Sequence, residues 1–140
     1  MHRSVRAHRS AAGRPRKGAA MIEFAVCLPV FLLITFATLE TCRMIYLRQS
    51  LKLAAYECAR IGILPEITPA SIQDQCDVIL LGRGIQNYTL SYTPGDLSTL
   101  QFGSHFVTTV EAPAAENALV GSWLYGGQTV SESVTIMAEY

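Results

Sequence analysis

Two spacings of apolar residues organise this chain. From Ala19 to Leu39 nearly every position is apolar, and Glu23 is the only charge. Beyond it, Leu47, Leu51, Ala54, Cys58 and Ile61 recur at steps of four and three, one stripe of a helix. Arg43, Arg48, Gln49, Lys52, Glu57 and Arg60 largely occupy the other side. The pattern predicts one long helix from about Ala19 to about Arg60, ended by Gly62 and Pro65. Pro29 lies inside it, removes one backbone donor and is expected to bend it. Thr68 to Leu81 reads as a second helix, with Thr68 as cap, Pro69 in the first turn, and Ile72, Cys76, Ile79 and Leu80 on one face.

After Gly82-Arg83-Gly84 the period changes to two. Tyr88, Leu90 and Tyr92 alternate with polar residues, and Pro94-Gly95-Asp96 makes a turn. Ser104 to Glu111 and Thr129 to Ala138 are the next strands; Glu132 interrupts the apolar face of the last one. The predicted fold class is α+β: a long N-terminal helix, a short second helix, and a three-stranded antiparallel sheet packed on the outer half of helix one. The link Leu119-Val120-Gly121-Ser122-Trp123-Leu124-Tyr125 is apolar for a loop, and is read as buried or as touching a partner or the membrane surface.

Charge changes the picture at the N-terminus. Residues 1–18 hold six of the eleven Lys and Arg and no acid, so a neutral chain consists of a basic tail on an acidic body. A nucleic-acid-binding arm has no reason to abut an apolar span, so no nucleic-acid partner is expected. As a helix, Ala19 to Leu39 is ~32 Å long, enough to cross a bilayer. A cationic flank stays in the cytoplasm. The expected topology is single-pass in the cytoplasmic (inner) membrane, with the N-terminus inside and an extracytoplasmic domain over 40–140.

Three fates fit a basic leader before such a span. A signal peptide would be cut after Ala37, where Thr35-Phe36-Ala37 carries a passable small-residue pattern, and would release a secreted binding module beginning at Thr38. A signal anchor would stay uncut and serve as an envelope adaptor. The third fate, a cut between Gly18 and Ala19, follows the type IV prepilin pattern of basic leader, glycine, small apolar residue and Glu at position five of the product, here Glu23. It keeps the whole helix and creates an amine at Ala19. In an assembly that amine can neutralise Glu23 of a neighbour, because a carboxylate in lipid needs a partner. A snorkelling Glu23 at the membrane edge is the plainer alternative. Ala19, Ala20 and Ala25 leave room for close helix approach.

These residues resemble the TadE-like family, pilin-like proteins of tight-adherence (Flp) pilus systems. Gly18-Ala19-Ala20-Met21-Ile22-Glu23-Phe24 looks like its processed start, and Leu28-Pro29-Val30-Phe31-Leu32-Leu33 like its apolar run. Glu40-Thr41-Cys42-Arg43 resembles its acidic-then-Arg exit from the membrane. Ala54-Ala55-Tyr56-Glu57-Cys58-Ala59-Arg60 is similar to its "AAREGAR"-type segment, with Tyr56 and Cys58 as departures. Val134 to Tyr140 looks like its last strand. The resemblance is detailed over residues 13–62 and implies a minor pilin or pseudopilin, in or at the base of a pilus. Its implied partners are a prepilin peptidase (an integral membrane aspartic protease), other pilins or pseudopilins, a secretion ATPase, an inner-membrane assembly platform and the lipid bilayer.

Cysteines and histidines add little chemistry. Cys27 lies in the span and Cys42 near its outer end, both expected as free thiols or helix contacts. Cys58 and Cys76 fall on the core faces of the two outer helices. They are read either as a disulfide, contributing on the order of 3 kcal/mol, or as two buried thiols packing as small apolar residues. No spacing suggests a metal or cofactor. His2 and His8 lie in the leader, which leaves His105 in a strand. Asp74 and Asp77 read as a solvated helix face, and no nucleophile elbow is present. The expectation is a structural subunit, not an enzyme.

Overall fold

The computed structural model describes residues 17–121 and 124–139. The leader up to Arg16, with His2 and His8, and also Trp123 and Tyr140, lie outside the described residues. Helix α1 spans Lys17–Gly62 and helix α2 Pro69–Gly82. Strands β1 (Thr89–Thr93), β2 (His105–Pro113) and β3 (Thr129–Met137) form one antiparallel sheet in the order β1-β2-β3. The α+β class and the order of elements are as expected. The chain divides after Ile34 into two units, and α1 contributes to both.

In the first unit α1 continues through Pro29 as helix. In the second unit the four-three stripe forms the core: Leu47, Leu51, Ala54 and Cys58 are fully buried, together with Ala55 and Ala59. Against them pack Ile72, Cys76 and Leu80 of α2 and Phe106 and Val110 of β2. Thr68 caps α2 as expected, its hydroxyl accepting the backbone N–H of Ser71 at 3.3 Å. Asp96 caps a single 3-10 turn at Leu97–Thr99, and its carboxyl pKa is held low by the hydrogen bonds from the Ser98 hydroxyl and amide.

The register of β3 resolves the interruption at Glu132. Val130, Glu132, Val134 and Ile136 share one half-buried face, and Glu132 on that face meets Arg48 of α1 at 2.9 Å. The alternation is unbroken because the acid has a cation waiting on the helix.

Gly62 ends α1 for a packing reason. A Cβ there would stand 2.2 Å from Cε1 of the buried Phe106 ring. Gly62→Ala is therefore expected to cost about 1–3 kcal/mol, as overpacking does elsewhere. Denaturant unfolding of the full chain in detergent, followed through the β-sheet signal, measures it. An unchanged midpoint would mean that the ring moves aside freely.

Candidate assembly helix and its anchorage

The first unit presents its apolar residues outward. Met21 is 73% exposed and Phe24 62%, and none of the most apolar window of α1 is buried. A core helix of a water-soluble domain would be covered by its own chain. This one is long and apolar enough to cross a membrane and is a candidate span. Gly18 and Ala19 are exposed in the first turn, and a Cβ on Gly18 would meet nothing within 4 Å. Glu23 is exposed and forms no ion pair with another described residue.

The second unit ties α1 to a distant loop. Glu40 is fully buried, and its Oε2 accepts the backbone N–H groups of Leu119 and Val120, both at 3.1 Å. Its Oε1 has no hydrogen-bond partner among the described residues. One residue on, the Thr41 hydroxyl lies 3.3 Å from the Tyr125 hydroxyl. Arg43 Nε donates to the carbonyl of Asn117 at 3.0 Å, and Nη2 to that of Gly84 at 3.3 Å. Asn117 is itself buried: its Oδ1 accepts the Gln86 N–H, and its Nδ2 donates to the carbonyls of Gln86 and Pro113. The ring of Tyr46 lies between two cations, with the guanidinium carbons of Arg43 and Arg83 at 5.2 and 5.6 Å from its centroid.

Sequence reasoning placed Glu40 and Arg43 at the end of the span but missed their work inside the domain. Asn117 gave no signal, because an Asn after Ala-Ala-Glu reads as an ordinary loop residue. The apolar link, read as buried or as a contact surface, is divided: its backbone at 119–120 is bound by Glu40, while the side chains of Leu119, Val120 and Leu124 are exposed.

Cys58 and Cys76 are brought together. The Cys58 thiol interacts with Cys76 and also donates to the Ile72 carbonyl at 3.7 Å. The hydrogen bond to Cys76 and burial push the Cys58 pKa far up. Cys76 is pushed down, first by the hydrogen bond from Cys58, then by that from Tyr88, against the opposing effect of burial. Tyr88 is raised, by burial first and by its hydrogen bond to Asp77. Cys27 and Cys42 are exposed, as is His105 at the start of β2.

The family comparison falls on this same helix. The model described as TadE-like protein matches residues 18–60. This segment is similar to the TadE-like family. The match covers α1 from the exposed apolar start to the last buried alanine. No curated protein and no solved structure matches the chain. The TadE-like segment also explains its two departures. Tyr56 is 49% exposed and costs the core nothing. Cys58 stands on the buried face, opposite a second cysteine on α2.

Proposed function

We propose that this chain is a minor pilin or pseudopilin that helps build a tight-adherence pilus. The observation that carries the reading is an apolar helix wholly uncovered by its own chain, within a TadE-like match, on a body with its own core. Residues 19–39 span the inner membrane, with the leader in the cytoplasm and 40–140 outside. A prepilin peptidase cuts after Gly18. The backbone at the bond is exposed, and a Cβ on Gly18 would meet nothing within 4 Å, so nothing among the described residues stands between this bond and a protease. The amine released at Ala19 pairs with Glu23 of an adjoining subunit, and the body docks on other pilins or the assembly platform. Terminal sequencing of protein purified from cells tests the reading: Ala19 supports it. Met1 would indicate an uncut adaptor, and Thr38 a secreted module.

Glu23→Ala is expected to leave cleavage intact and to abolish co-purification with other pilus components, because the amine loses its acceptor. Normal recovery of the complex would argue against the pairing.

Cys58 and Cys76 become bonded outside the cytoplasm, passing two electrons and two protons to a disulfide-donating oxidoreductase of that compartment. Non-reducing peptide maps of exported protein should contain one fragment joining the two cysteines. Recovery of both as alkylated free thiols would show the pair to be packing only.

A further inference from the structure

The loop that Glu40 holds is built differently from the rest of the body. No Asp, Glu, Lys or Arg occurs from Asn117 to Ser131 or from Phe24 to Leu39. The first of these stretches is bonded to the turn of α1 that directly follows the second. Four hydrogen bonds from three residues fix the loop to α1: Glu40 to the amides of Leu119 and Val120, Thr41 to Tyr125, and Arg43 to the carbonyl of Asn117. Glu40 itself is fully buried. What faces outward is apolar: Phe36 and Leu39 on the helix, and Leu119, Val120 and Leu124 on the loop, with Leu119 61% exposed. An apolar patch this exposed needs an apolar neighbour.

We propose that Leu119, Val120 and Leu124 dip into the lipid surface of the bilayer that α1 crosses, a second membrane contact beside the helix. This rests on the reading of residues 19–39 as the span. The occupant follows from continuity. A helix that leaves lipid at Leu39 carries the loop bound to Glu40 and Thr41 at the boundary between acyl chains and headgroups. Tyr125, with its hydroxyl on Thr41, has the amphipathic character found at that depth. Buried Glu40 does two things at once: it satisfies the loop amides and keeps a carboxyl group off a surface that must enter lipid.

The test uses the full chain reconstituted in phosphatidylcholine vesicles. Trp123, the single tryptophan, is replaced by Phe, and Leu119→Trp supplies a reporter. Val120→Trp is a second reporter, and Phe102→Trp a control. Phe102 is 77% exposed and precedes the start of β2, the strand whose Phe106 packs against Gly62. That end of α1 is ~33 Å along the helix from Glu40. Lipids brominated high on the acyl chain should quench tryptophan at 119 or 120 at least twofold and leave the control bright. Vesicles are also washed at alkaline pH. Protein that stays in the membrane with reporters unquenched overturns the proposal while leaving the span intact. A blue-shifted but unquenched reporter overturns it in favour of a protein neighbour. Release of the protein by the wash overturns the span, and the proposal with it.

Discussion

Replacing Gly18 with valine is expected to give a folded, membrane-inserted protein that keeps residues 1–18. The fold tolerates the change, since the glycine has open space around it and lies in ordinary helical backbone. A protease sees it differently. To reach the bond after Gly18 it must draw the helical backbone around that bond into an extended strand and hold that strand closely. Glycine favours the opening, because it is about 1 kcal/mol less helical than alanine, and it leaves no side chain against the enzyme. Valine adds a branched side chain at the point of closest contact. Intact mass of the purified product reads the outcome, and near-complete retention of the leader is expected. A normally trimmed Gly18→Val protein would show that the peptidase does not grip this position, or that the cut lies elsewhere.

Glu40→Ala should have the largest effect on the body itself. The wild-type carboxyl oxygen receives two amides, and hydrogen bonds to such groups contribute about 1.5–3 kcal/mol each. Part of that returns when the freed amides find water, because the loop is exposed. A net loss of about 2–4 kcal/mol is expected. Unfolding of the full chain in detergent measures the loss, and hydrogen exchange at Leu119 and Val120 locates it: these two amides should lose protection while the β2–β3 amides keep theirs. Glu40→Gln retains one oxygen acceptor and should recover most of the protection at both. Equal loss in the two variants would mean that shape, not the acceptor, holds the loop.

How far each feature could be read from the chain follows from how far apart its parts are. α1 and α2 were legible because their apolar residues repeat locally, at steps that put Leu47, Leu51 and Ala54 or Ile72 and Cys76 on one side. The strands were legible to within a residue or two for the same reason. Glu132 looked like a flaw in β3 because its partner, Arg48, lies on another element. Glu40 looked like part of a membrane exit because the amides it binds come 79 and 80 residues later. Backbone groups carry no sequence signature, so no spacing rule announces such a bond. The proposed cleavage pair Gly18-Ala19 and the acid Glu23 stand out for the opposite reason: their signal is a short, contiguous pattern at the start of an otherwise uniform apolar run.

The wide separation between Glu40 and its amides also sets an order of events during synthesis. The helix leaves the ribosome first, and its inward-facing acid stays unsatisfied until Val120 has followed. Most of the body must therefore be made before that turn can close. On the proposed topology, the chain is thus exported with its last knot still untied.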